Sequence, residues 1–426
     1  RMMYDSQKGY ATAEFELSES VNGIGGSSIT FPAIDDITPI PTPTPDPNPD
    51  PVTPGEGTGF GTVYVATSAT LGRTRAFGAA SPAWTDITPS GTPGILWDYI
   101  LDPWSPATTG YLTTDAGIYR STDLDQSSPS WELIVSAAAI QSASGLTSFA
   151  RPAKIIGSIN INGYFAMFHT MTNAYSVYVT YTRNAFETWN TVQVFVGDSD
   201  SVWMGAADYV PHLVNGNVVL YTAHEAVGAA TNSILRKSTN GGQSWATITG
   251  PSIPGASSSD DYSGIAAHCP YNDNTDGNVC YFALIDVNGS QWHYYAGKTE
   301  DGATITTISG GISIPFPSSR LAKRTGIESY TQNRLKSYRW LNSSLYISTD
   351  GFDTETNIST SGISGNVVAS GGFPYNSDQF YAVTESGIFV STDDGNTWAD
   401  KTGDWAFGGF NTTGNGTGVI VPLWTE

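Results

Sequence analysis

Positive charge is scarce in this chain. It has 18 Lys and Arg against 39 Asp and Glu, a formal net charge of −21. Displacing counterions from a phosphate backbone needs clustered cations, so nucleic acid is excluded as a partner. Attraction to an anionic membrane surface is excluded for the same reason. No apolar run is long enough to span a bilayer, which excludes membrane insertion by a helix. Charged residues make up only 13% of the chain, and helical periodicity is hard to find. Cysteine is limited to Cys269 and Cys280, with His268 beside them. That is too few donors for a zinc site, and no metal site is expected. The two cysteines flank a strong turn signal. A cross-hairpin disulfide, which would suit an extracellular or virion setting, is one reading; two thiols is the other.

Phosphate-binding glycine loops and a Ser-His-Asp constellation are also missing, and no cofactor is expected. The string Asp273-Asn274-Thr275-Asp276-Gly277 resembles part of a calcium loop but lacks the downstream Glu. It reads as an ordinary turn, leaving a surface calcium ion as an open alternative.

What is present is a repeat. Ser391-Thr392-Asp393-Asp394-Gly395-Asn396-Thr397-Trp398 returns as Ser238-Thr239-Asn240-Gly241-Gly242-Gln243-Ser244-Trp245. Weaker copies place Asp123 with Trp131, Asn184 with Trp189, Asp301 with Ile305, and Asp350 with no aromatic. The first unit keeps only Trp84-Thr85-Asp86-Ile87. These units recur about every 40 to 60 residues, the interval of propeller blades. Residues before each box alternate apolar and polar, as strands do. The third-position Asp or Asn accepts hydrogen bonds within its own turn, and Gly395 supplies a left-handed backbone. The closing Trp packs between sheets. These residues read as scaffold rather than as catalysts.

Three segments are expected. Residues 1–38 form the end of an upstream domain, with a strand over 10–17. Residues 39–59 carry PIPTPTPDPNPDPVTP, an extended Pro-rich spacer. Residues 60–426 form a seven-bladed, all-β propeller. Its first unit is one strand short, and the apolar run over 418–424 is expected to supply that strand and close the ring. Because the chain begins at Arg1, it reads as a fragment or a processed product.

The pattern S-x-D-x-G-x-(S/T)-W resembles the Asp-box (BNR) repeat of sialidases, xyloglucan-degrading glycosidases, sortilin-type receptors and a photosystem assembly factor. The resemblance covers residues 60–424. It implies a β-propeller whose boxes lie away from any active site. Each activity is then weighed against the residues. A sialidase would need an Arg-bearing motif before the first box, but the nearest string, Phe149-Ala150-Arg151-Pro152, follows a box. A second propeller, a cysteine-rich companion and a basic patch, which the other members use, are all missing.

In such a fold, loops entering the innermost strands surround a central channel. Candidate ligand-binding residues there pair a carboxylate with an aromatic: Trp97, Asp98 and Tyr99; Asp208 and Tyr209; Asp261 and Tyr262; Glu328 and Tyr330. Acids can hold sugar hydroxyls while the rings stack on a pyranose. The leading expectation is a non-enzymatic recognition or adhesion module of a secreted, cell-surface or phage tail protein. Its partner would be a glycan or surface polymer, bound opposite the boxes. The alternatives are a polysaccharide-degrading glycoside hydrolase, which would use clustered carboxylates, and a structural assembly subunit.

Overall fold

The computed structural model describes residues 2–5, 10–13, 61–91, 94–145, 150–171, 176–196, 202–226, 235–249, 262–269, 276–288, 291–307, 312–315, 327–330, 333–341, 344–350, 354–358, 360–365, 367–373, 376–406 and 419–422. The chain divides into two units, Arg1–Thr58 and Gly59–Glu426. In the first, strand Met2–Asp5 pairs antiparallel with Tyr10–Ala13. Of the expected strand over 10–17, Tyr10–Ala13 is described, with a partner that sequence reading did not provide; residues 14–17 lie outside the described residues. The Pro-rich spacer lies outside the described residues.

The second unit is an all-β propeller. Its sheets are named I to VII here by their innermost strands: Val419–Pro422, Leu96–Leu101, Ala150–Gly157, Val202–Val214, Tyr262–His268, Ile327–Tyr330 and Val367–Phe373. Sheet I takes its other strands from the opposite end of the chain, Val63–Ala66, Leu71–Thr74 and Thr85–Asp86. Val63 stands opposite Pro422 and Ala66 opposite Val419.

Against the expectation of seven like units, six regular four-stranded blades form, and sheet V has five strands. The cause is an interrupted outer strand. Strand Gln291–Thr299 pairs at one end with Thr306–Thr307 and at the other with Ile312–Pro315. Sheet V is also the sheet whose box ends in Ile305 rather than Trp.

The core lies between sheets, because alternating residues send one sheet's two faces to two neighbours. Val63 and Val65 pack with Tyr381, Val383 and Val390 of sheet VII. Tyr64 and Ala66 pack with Leu96, Tyr99 and Leu112 of sheet II. Sheets I and VII also meet through Trp84, whose ring stands 5.1 Å from that of Trp405, edge to face. Its backbone N–H donates to Asp404 Oδ1 at 2.7 Å and its Nε1–H to the Lys401 carbonyl at 3.3 Å.

One short helix, Ala137–Ala143, was not foreseen. Ser136 caps it, accepting from Ala139 N–H at 3.1 Å. No described helix is long and apolar enough to cross a membrane.

The box turns share one hydrogen-bond plan. In the last, Asp393 Oδ1 accepts from Ser391 Oγ at 2.9 Å and from Thr397 N–H at 2.8 Å. Its Oδ2 accepts from Thr397 Oγ1 at 2.7 Å. Asp123, Asp301 and Asp350 do the same with Ser130, Thr304 and Thr354. Where Asn stands, the polarity of one bond reverses. Asn184 Nδ2 donates to Thr188 Oγ1 at 2.9 Å and Asn240 Nδ2 to Ser244 Oγ at 2.8 Å. The backbone amide of Thr304 leads the bonds that hold the Asp301 carboxyl well below the usual carboxylate range. Gly395 sits at φ 80°; the third sheet has Phe186 at that place, at φ 69°. The left-handed backbone is strained for Phe. Burial of its ring against Phe165, centroids 5.9 Å apart, offsets that strain.

The last boxed Trp is buried, its ring 5.4 Å from Trp340 of sheet VI. Trp131 and Trp245 are partly buried and donate through Nε1 to the Ile87 and Gly242 carbonyls. Trp189 packs beside Phe186 and Val135, between sheets II and III.

Two predictions follow from these contacts. Asp393→Ala should lower stability by about 1–2 kcal/mol, since each lost bond is worth ~1 kcal/mol. Asp393→Asn should cost far less, because Asn184 and Asn240 already hold this turn; chemical denaturation of the two variants checks the order.

The second concerns His169 and His224. Both are fully buried, bonded through Nε2 to Thr180 at 3.2 Å and Thr222 at 2.9 Å, while neither Nδ1 has a hydrogen-bond partner. Burial pushes both down to about 3. The unfolded chain takes up these protons near pH 6.5. Their contribution is therefore complete above pH 6.5 and is lost as pH falls from 6.5 toward 3. Each should tilt the stability curve by about 1.4 kcal/mol per pH unit in that window. A urea midpoint unchanged between pH 7 and pH 4.5 would contradict this.

Candidate ligand-binding site

An inner strand has no partner on its channel side, so some of its N–H groups must find acceptors elsewhere. Two of the expected acids do this work. Asp98 of sheet II reaches sheet III, where Oδ2 accepts from Ile155 N–H at 2.9 Å and meets Lys154 Nζ at 3.1 Å. Asp208 of sheet IV reaches sheet V. Its Oδ2 accepts from Cys269 N–H at 2.7 Å and lies 3.1 Å from His268 Nδ1. Its Oδ1 accepts from Tyr209 N–H at 2.8 Å.

The two pairs stand at different depths. Inner strands carry a one-residue bulge at corresponding places, at Trp97, Ala153, Gly205, Ile265 and Val368. Asp98 and Lys154 directly follow their bulges. Asp208 and His268 each stand three residues beyond theirs. The second pair therefore lies two residues, or about 7 Å, further along its strands. Each acid meets a base of the next sheet at its own level.

Exposure separates the pairs as well. The Asp98 side chain is 2% exposed, whereas Asp208 and His268 are 22% and 23% exposed. Trp97 and Tyr99 are buried too. Trp97 Nε1–H donates to Asp115 Oδ1 at 2.7 Å, and Asp115 Oδ2 accepts from Ile95 N–H at 3.0 Å. Tyr99 packs 5.3 Å from Tyr64, ring to ring, inside the core between sheets I and II. The expectation that Trp97, Asp98 and Tyr99 present themselves to a ligand is corrected: all three are buried, Asp98 and Tyr99 against neighbouring sheets and Trp97 on a turn of its own sheet. Tyr209 packs in part against the core between sheets III and IV.

Tyr262, Glu328 and Tyr330 are placed by backbone on the inner strands of sheets V and VI; their side chains and Asp261 lie outside the described residues. His268, Lys154 and Asp115 were missed. Their signal was available only through register, since each partner comes from another sheet or another turn. Among the described residues no group of three His, Cys, Asp or Glu is gathered to hold a metal ion.

Of the two readings of the cysteines, the structure holds the thiol form. Cys269 and Cys280 are both thiols, buried in the core between sheets IV and V and in contact with each other. Burial raises both above the usual thiol range.

The sequence matches no protein-family model and no curated protein. Solved structures are similar in fold. An ancestral GH74 enzyme aligns with TM-score 0.55 and 14% identity, over 81% of this chain and 46% of that one. The chain thus spans less than half the length of that enzyme. An oligogalacturonate lyase in complex with manganese aligns with TM-score 0.51 and 10% identity, over 76% and 82% of the two chains. Sqt1 of Saccharomyces cerevisiae aligns with TM-score 0.50 and 12% identity, over 80% and 83%. At these identities the likeness is one of propeller fold.

Asp98→Ala should destabilise the second unit by about 1–3 kcal/mol, because it leaves the buried Ile155 N–H without its acceptor. Asp208→Ala should cost less, since water can replace part of its role. Equal losses in thermal denaturation would contradict this assignment.

Proposed function

We propose that the second unit is a non-enzymatic recognition module of a secreted, cell-surface or virion protein. It binds a neutral glycan or surface polymer in the central channel lined by the inner strands. On this reading the irregular sheet V counts as a seventh blade, and strand Val419–Pro422 clasps the ring. The turns belong to the Asp-box type.

The observation that carries the reading is the commitment of both described inner-strand acids. Asp98 and Asp208 each hold a neighbouring sheet's amide and base. A glycoside hydrolase needs two carboxyl groups free to exchange protons and attack, about 5–9.5 Å apart. Acids occupied as joints suit binding better than that chemistry. The accessible Asp208–His268 pair offers a carboxylate and an imidazole to sugar hydroxyls.

A glycan array probed with wild type and Asp208→Asn tests this. The expected result is saturable binding to neutral glycans, weakened several-fold in the variant, with no release of reducing ends. Cleavage of any bound glycan, or no binding at all, would reject the reading.

A further inference from the structure

The box-turn end of sheets II and III carries a second surface, in the turns outside the channel. Trp104 lies in the turn between strands Leu96–Leu101 and Gly110–Thr114, and is 49% exposed. Ile159, in the corresponding turn of sheet III, is 40% exposed. In an up-and-down sheet these turns share an end with the box turns. One bond demonstrates it: Leu124 N–H, in the box loop, donates to the Thr108 carbonyl at 2.8 Å.

The indole is held rigidly. Its Nε1–H donates to the Ser158 carbonyl at 3.1 Å, and the Trp104 backbone N–H donates to Asp102 Oδ1 at 2.9 Å. The ring's polar atom is thus satisfied by the neighbouring sheet, and its exposed part offers a flat apolar face at little entropic cost. Ring and isoleucine belong to adjoining turns, since Ser158 precedes Ile159.

The surroundings select the ligand. Residues 103–109 and 158–163 contain no Lys, Arg, Asp or Glu, in a chain with a net charge of −21. Exposed neighbours are Ser105, Ala107, Asn160 and Asn162. A fixed indole, amides and a hydroxyl without charge form the chemistry that stacks on a pyranose ring and bonds to its hydroxyls. The exposed acids at this end, Asp125 and Glu187, belong to the adjoining box loops and not to these two turns.

We propose that Trp104 and Ile159 form a platform for an uncharged saccharide, at the box-turn end of sheets II and III. It goes beyond the reading above, which concerns the channel wall at Asp208 and His268. Cellohexaose, xylohexaose, mannohexaose and N-acetylchitohexaose would be titrated by calorimetry against wild type, Trp104→Ala, Trp104→Phe, Ile159→Asp and Asp208→Asn. The expected result is binding of at least one probe that falls tenfold or more in Trp104→Ala. It should stay within a few-fold in Trp104→Phe, which keeps a stacking ring, and be unchanged in Asp208→Asn. Should Trp104→Ala fail to fold, Ile159→Asp carries the test with an expected loss of fivefold or more. Binding of no probe, or binding indifferent to both turns, overturns the proposal. So does self-association that Trp104→Ala abolishes without any saccharide binding. Binding lost only in Asp208→Asn would overturn this platform and leave the other site standing.

Discussion

The burial of one sheet's face against the next is the constraint on which this unit depends. A four-stranded sheet of about 50 residues has two apolar faces and cannot cover either alone. Alternation along Val63–Ala66 sends Val63 and Val65 to sheet VII, and Tyr64 and Ala66 to sheet II. Burial is non-directional, so it brings the sheets together without fixing their level. Directional bonds do that. Asp98 on Ile155 N–H, Asp208 on Cys269 N–H and Trp131 on the Ile87 carbonyl each tie one sheet to a set height on its neighbour.

The box turn belongs to the same economy of structure. It closes the third and fourth strands with side-chain acceptors, so the outer hairpin does not rely on its short last strand. Phe186 shows how far the backbone requirement can be bent. A left-handed phenylalanine is retained because its ring packs against the contacting pair Tyr111 and Phe165. A turn rule and a packing rule compete at this position, and packing wins.

The repeat made much of the architecture legible. Boxes were recognisable from Ser391, Asp393 and Trp398 because the bonds that the Asp393 carboxylate accepts are local, within eight residues. The chain-end pairing of Val63–Ala66 with Val419–Pro422 was expected from an unmatched strand at each end. The candidate site was much less legible. Asp98 looked like a ligand-facing acid beside two aromatics, yet its partner, Ile155, lies 57 residues away in the next sheet. Such a pair depends on inter-sheet level, which no local pattern encodes. The interruption in the outer strand of sheet V escaped for a related reason, since strand pairing at an edge is decided by what remains uncovered. The helix Ala137–Ala143 escaped because seven residues are too few for a helical period to stand out.

The cations complete the picture. Arg73 donates to the Leu124 and Ser127 carbonyls of the next sheet's box loop. Arg183 reaches Asn217 at 3.2 Å, Lys237 reaches Asn278 at 2.8 Å, and Lys401 reaches the Ala79 carbonyl at 2.8 Å. Each of these bonds crosses from one sheet to another. A chain with 18 Lys and Arg thus spends several of them inside its own joints. What faces outward is correspondingly more acidic, apart from charge-free places such as the turns around Trp104 and Ile159. An acidic exterior repels polyanions and the acidic surfaces of other copies. Uncharged turns set into it are where a neutral ligand could approach without displacing a counterion or leaving a carboxylate unsolvated.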